Sequence, residues 1–293
     1  MGELVVIFVA GFAASLVDGA LGMGFGPTSS SILLGTGLSP AAISTTVNLA
    51  KAATGVSAAL SHWRFGNIDG RLVRRLAVPG CLGALVGVTV LARVDGDTLK
   101  PVLAVLLILM ALRILARFSR PLAPAGEAGG GRFDGRGTAA VAAAGGVTNG
   151  LVGAWGPVVT PFLLHRGLAP RVAIGCVNTA EVAVAVVASG SLLASLGGGG
   201  IDVAVVVAML SGGVLAAPVA AWAIRFLPAR GLGVTVAALL LALNVRELTS
   251  SPGLRGGPRW LAYGLVAAAC GYAALRPRRL ARAGPEALAE AAP

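Results

Sequence analysis

Apolar runs, most of them long enough to cross a bilayer, recur along the whole chain, near residues 4–20, 42–60, 76–92, 99–117, 138–152, 172–196, 201–225, 231–245 and 259–275. A helix rises about 1.5 Å per residue, so about 20 apolar residues span about 30 Å of hydrocarbon. Backbone polar groups in lipid must pair internally, which makes each such run a helix. The alternating pattern of an outer-membrane barrel is absent. Composition agrees, with 56% of the 293 residues hydrophobic and 12% charged, too little polar surface for a soluble domain of this size. The expected class is an all-α polytopic membrane protein.

A net charge of +11 raises the question of nucleic acid. The arginines, however, sit in short loops between the runs, with no free basic domain. That is a positive-inside pattern in contact with anionic headgroups, and it argues against a nucleic-acid partner. Cys81, Cys176 and Cys270 lie far apart within apolar runs, without metal-ligand spacing. The start, MGELVVIFVAGF, carries Glu3 where a signal peptide has a basic region, and the first run is expected to remain in the mature chain.

The chain repeats itself at an offset of 130 residues. GP at 26–27 falls on GP at 156–157, GLSPAAIS at 37–44 on GLAPRVAI at 167–174, and TTVNLAK at 45–51 on GCVNTAE at 175–181. Asn48 thereby matches Asn178, and Lys51 matches Glu181. GNID at 66–69 resembles GGID at 199–202 after a three-residue gap. The expected organisation is an N-terminal repeat over 1–120, a cytoplasmic linker over 121–137 and a C-terminal repeat over 138–250. An extra C-terminal span over 251–275 and a polar, loosely ordered cytoplasmic tail over 276–293 follow.

Loop charges point to inverted topology. The loop 62–75 and the seam with Arg117, Arg120, Arg132 and Arg136 are basic, hence cytoplasmic, while the turn with Asp95 and Asp97 faces outward. In the second half the bias reverses: turns holding Arg166/Arg171 and Arg225/Arg230 are basic and GGGGID at 197–202 is not. Arg246, Arg255 and Arg259 in an outer loop run against the pattern. The N-terminus is expected outside and the C-terminus in the cytoplasm. Inversion requires that 4–38 and 138–168 each enter and leave on one side. Each is therefore expected to be a re-entrant or broken hairpin of two half-helices, followed by about three spanning helices.

The hairpin tips read DGALGMGFGPTSSS (18–31) and NGLVGAWGPVVTP (149–161). Pro27 and Pro157 are expected at the first position of the second half-helix, where a missing N–H costs nothing. The exposed helix start then offers amides and a positive dipole end, suited to a small oxyanion. The alternative is that the glycines only allow close helix packing.

Lys51 and Glu181 lie about ten residues into their runs, and charges at that depth point to function. A salt bridge between them, or a shared cavity, fits their equivalence in the repeat. The alternatives are a structural pair that fixes register, or a pair in which Lys51 meets the anion and Glu181 the proton. Asn48 and Asn178 lie one turn earlier on nearly the same face. Asp18 is either a buried partner or a helix cap. The substrate-binding candidates are Gly24, Gly26, Thr28, Ser29, Asn48, Lys51, Trp155, Gly156, Thr160 and Asn178; Glu181 and Asp18 are the proton-coupling candidates. His62 with Trp63, and His165 with Arg166, read as interfacial anchors. No HExxH, paired thiols or nucleotide loop is present, so no metal or cofactor is expected, nor an enzyme.

The stretches VDGALGMGFGPTSSSILLGTGLSPAAIS, VSAALSHWRFGNIDGRLVRRLAVPG and GAWGPVVTPFLLHRGLAPRVAIGCVNTAE resemble the TauE/SafE family of sulfite exporters, also called four-toluene-sulfonate uptake permeases. The resemblance covers most of residues 5–245. It implies an inner-membrane secondary transporter of small sulfur-containing anions, coupled to protons. The resemblance also leads one to expect a glutamate in the first half, in a motif like HTAE, where this chain reads NLAK. A cation replaces it here, which favours a more strongly anionic cargo. The expected partners are a small anion, protons and the bilayer, with a homo-oligomer left open. The competing functions are transport of another small anion, a cation or metal exporter, and a non-transporting membrane scaffold.

Overall fold

In the computed structural model, residues 2–21, 23–119, 133, 135–195, 202–223, 229–250 and 259–283 are described. Most of the expected linker 121–137, Gly22 of the first tip, Arg225, Arg255, the glycines at 197–200 and the tail beyond 283 lie outside them. Among the described residues the chain is helical throughout, with no strand. The helices are α1 (Gly2–Leu21), α2 (Phe25–Leu34), α3 (Pro40–Arg64), α4 (Gly70–Arg93), α5 (Gly96–Ser119), α6 (Thr138–Val152), α7 (Gly156–His165), α8 (Pro170–Ser195), α9 (Val203–Ala223), α10 (Ala229–Ser250) and α11 (Arg259–Ala283). Helices α4, α5, α8 and α10 are long and apolar enough to cross a membrane by length and composition.

Helix boundaries follow local chemistry. Ser39 caps α3 by accepting from the Ala42 amide at 3.2 Å, with Pro40 opening the helix. The matched aspartates of GNID and GGID do the same job in both halves. Asp69 accepts from the Arg71 amide at 2.8 Å, and Asp202 from the Ala204 amide at 2.8 Å.

Both hairpins break at their glycine-rich tips, but unequally. Helices α2 and α7 have 10 residues each, about 15 Å of rise, half of a bilayer core. Helix α6 has 15 residues, whereas α1 has 20. The first arm is therefore a full-length helix by residue count, not the expected half-helix, because its apolar run continues unbroken to the tip. The prolines also sit slightly further in than expected. Pro27 is the third residue of α2 and Pro157 the second of α7, both still in the first turn. Helix α11 runs eight residues past the expected span, through the start of the tail.

The halves interlock. Helix α1 packs on α9 of the second half, α6 on α4 of the first, and α3 along α8. Lipid supplies no hydrophobic drive between helices, so such contacts rest on close backbone approach at small residues. A Cβ on Gly146 of α6 would lie 2.0 Å from the Gly80 carbonyl of α4, and one on Gly212 of α9 would lie 2.1 Å from the Phe8 carbonyl of α1. A second apolar cluster joins α5, α10 and α11, through Ile114, Phe118, Leu240 and Ala273.

Candidate functional site

Helices α3 and α8 bring Lys51 and Glu181 together across 130 residues of sequence. Their side chains form an ion pair and a hydrogen bond. Lys51 is 8% exposed, so its charge is largely out of water and depends on partners. It also donates to the carbonyl of Gly153 at 2.8 Å. Gly153 ends α6 in the left-handed conformation, φ 67°, so that carbonyl belongs to the negative end of a helix. An ammonium has three donors. Two are engaged here.

The pair lies on the wall of a cavity of about 580 Å³ between α1, α3, α8 and α9. Asp18, Asn178, Thr54 and Ser57 share that wall. Asp18 is a cap, one of the two roles its sequence position allowed. Its Oδ1 accepts from the amides of Gly24 at 2.8 Å and Phe25 at 3.1 Å, at the start of α2. The positive end of α2 thus already holds an anion, and it is the protein's own. The equivalent start of α7 has no side-chain cap.

The Gly153 amide closes α6 on the Asn149 carbonyl at 2.7 Å, and the first half supplies further donors to the carbonyls of its last turn. Asn48 donates to the Asn149 carbonyl at 3.1 Å, Ser44 to Gly150 at 2.6 Å and Ser30 to Val152 at 2.7 Å, beside the Lys51 contact with Gly153. The Asn149 amide donates in turn to Oδ1 of Asn48 at 2.7 Å. Asn48 is fully buried in this network, away from the cavity that its repeat partner Asn178 lines.

The other sequence candidates hold the tips. Gly26 abuts Gly153, and a Cβ on Gly24 would lie 2.3 Å from Val17. Ser29 donates to its own helix, to the Phe25 carbonyl at 2.7 Å. Thr28 and Thr160 are buried, and their hydroxyls have no hydrogen-bond partner among the described residues. Trp155 is fully buried, donates to the Val177 carbonyl at 3.2 Å, and seats its ring against Gly80 and Gly145; Gly156 follows it at the start of α7. Of the twelve candidates, Asp18, Lys51, Asn178 and Glu181 meet at the cavity.

Residues that sequence reasoning missed carry a recoverable signal. Thr54 and Ala58 continue the Lys51 face at helical spacing, and Ser15 lies one turn before Asp18. The α9 wall, Leu210, Gly213 and Val214, has no polar residue to mark it.

The model of the family "Sulfite exporter TauE/SafE" matches residues 7–246. The chain belongs to the TauE/SafE family. It is also 38% identical over 252 residues to a "Probable membrane transporter protein YtnM" of Bacillus subtilis (strain 168), covering 85% of this chain and 83% of that protein. No solved structure matches. As a TauE/SafE protein the chain is a multi-pass membrane transporter, and the Lys51–Glu181 cavity is its candidate translocation site.

Proposed function

We propose that this TauE/SafE protein moves a small sulfur-containing oxyanion, such as sulfite or a sulfonate, together with a proton, through the cavity on which Lys51 and Glu181 meet. The shared Lys51 ammonium carries this reading. With Asp18, Glu181 and Lys51 all ionised, the cavity wall holds two carboxylates and one ammonium, and an entering anion meets net repulsion. A proton on Glu181 cancels one negative charge and releases a donor of Lys51 at the same time. The anion then takes the place of the Glu181 carboxylate on Lys51, with Asn178 within the same wall. Loss of the anion restores the ion pair and expels the proton.

Asp18 stays out of this exchange, because its carboxylate is fixed on the amides of α2. The same fixation weighs against a cation exporter, since one carboxylate is committed to the fold and the other to Lys51.

The matched element order, with α1 to α5 followed by α6 to α10, supports two inverted repeats with α11 added, related about the α3–α8 contact. On this reading the protein lies in the inner membrane, with the N-terminus outside and the C-terminus cytoplasmic. A homo-oligomer is compatible with it.

The test is flux of labelled sulfite, sulfonate and thiosulfate in proteoliposomes, with and without a pH gradient. Wild type is expected to carry at least one of them, faster when protons move with the anion. Lys51→Ala should abolish flux, and Glu181→Gln should leave exchange insensitive to the gradient. Unchanged flux and coupling in both variants would remove the site.

A further inference from the structure

A second cavity, of about 700 Å³, lies on the outside of the bundle where α4 begins beside the start of α6. Arg71, Arg74 and Arg75 form its upper wall, and Val78 and Leu82 its lower wall. These positions follow i, i+3, i+4, i+7 and i+11 spacing, so they form one stripe down α4. The three arginines are exposed. Val78 and Leu82 are 63% and 61% exposed. From Arg71 to Leu82 the helix rises about 16 Å.

Among the described residues, the upper wall is short of negative charge. Arginines one turn apart on a helix repel each other, and among the described residues no carboxylate pairs with any of the three. The adjacent Asp69 is engaged as the α4 cap, through the amides of Arg71 and Leu72. Helix α6 opens alongside, at Thr138, with no side-chain cap on its N-terminus. Its positive end adds to the same field. Directly below, the wall turns fully apolar on a helix long and apolar enough to cross a membrane.

A ligand matching both walls needs an anionic head and a hydrocarbon chain joined end to end. We propose that the groove between α4 and α6 binds an anionic glycerophospholipid, its phosphate on Arg71, Arg74 and Arg75 and an acyl chain along Val78 and Leu82. A soluble phosphate would use the arginines and leave the apolar stripe uncovered. A zwitterionic lipid would cover the stripe but bring a second cationic group against the arginines. The site stands apart from the Lys51–Glu181 cavity and does not depend on what is transported there.

The experiment is native mass spectrometry of the full chain, delipidated in neutral detergent and titrated with phosphatidylglycerol, phosphatidylcholine or glycerol 3-phosphate. Phosphatidylglycerol is expected to give a saturable single adduct. Phosphatidylcholine should bind at least about tenfold more weakly, and glycerol 3-phosphate should give no adduct. A basic residue near an anionic headgroup is worth roughly fivefold, so R71Q/R74Q/R75Q should weaken the phosphatidylglycerol adduct by about a hundredfold. Arg93→Gln, at the other end of α4, should leave it unchanged. Equal binding of the two lipids, or an adduct unaffected by the triple substitution, would overturn the proposal. Glycerol 3-phosphate binding as well as the lipid would make this a soluble-anion site and overturn it too. The two-lipid comparison uses wild-type protein alone, so it decides the matter even if the triple variant fails to fold.

Discussion

Gly26 and Gly153 touch backbone to backbone, and the contact fixes where Lys51 can reach. A Cβ on Gly26 would lie 1.8 Å from the Gly153 carbonyl oxygen, the oxygen that accepts from the Lys51 ammonium. The two glycine-rich tips therefore meet at one carbonyl, and that carbonyl faces a charge. Close packing of the tips, one of the two readings their sequence allowed, is what sets this polar group in place.

Gly26→Ala should consequently destabilise the protein and disturb the cavity together. The clashing atom is backbone and cannot rotate away, so a cost of about 3 kcal/mol, the upper end for overpacking, is expected. Thermal unfolding in detergent should show a clearly lowered midpoint. Gly190→Ala, where a Cβ would meet nothing within 4 Å, should leave the midpoint unchanged or raise it. Equal midpoints for the two variants would contradict the contact.

The Lys51–Glu181 pair should separate stability from transport. Removing one partner strands the other largely out of water, at about 3 kcal/mol. Lys51→Met combined with Glu181→Leu replaces both by apolar groups of similar size and should recover most of that loss. Flux should stay abolished in the double variant. Recovery of transport along with stability would show that the pair serves only the fold.

Asp18 should behave as a cap first. Asp18→Ala removes the acceptor for two amides at the start of α2 and should cost about 2 kcal/mol, while Asp18→Asn keeps an acceptor and should cost about 1 kcal/mol or less. Hydrogen exchange at the amides of Gly24 and Phe25 reads this directly, with faster exchange expected in Asp18→Ala. Unaltered exchange there would remove the capping role.

Much of this site was legible because the chain states it twice. The 130-residue offset matches Lys51 with Glu181, and the matched aspartates of GNID and GGID prove to be equivalent helix caps. The tips were harder to read, for physical reasons. Whether Asp18 caps α2 depends on the backbone turning through Gly24, which the residue types permit without dictating. The capping of α6 by Ser30, Ser44, Asn48 and Lys51 joins residues about 100 positions apart, and no local pattern marks it. Packing of α1 on α9 and of α6 on α4 is specified by small residues in apolar helices, which carry no directional charge. Trp155 is a candidate for its place in the second tip, and its ring packs against Gly80 and Gly145.

Accessibility offers a test of the cavity that needs no substrate. Ser57 lies on the cavity wall and is exposed, whereas Thr45, on the same helix, is fully buried. In a background where Cys81, Cys176 and Cys270 are replaced by alanine, Ser57→Cys should react readily with a small anionic thiol reagent and Thr45→Cys should not. Adding Lys51→Ala to the Ser57→Cys variant leaves two carboxylates on the wall and no ammonium, so an anionic reagent should react several-fold more slowly with the introduced thiol. A neutral reagent of similar size should keep its rate, which separates the field of the cavity from its shape. If the anionic reagent were indifferent to Lys51, the ammonium would not govern anion entry, and the proposed path through this cavity would fail.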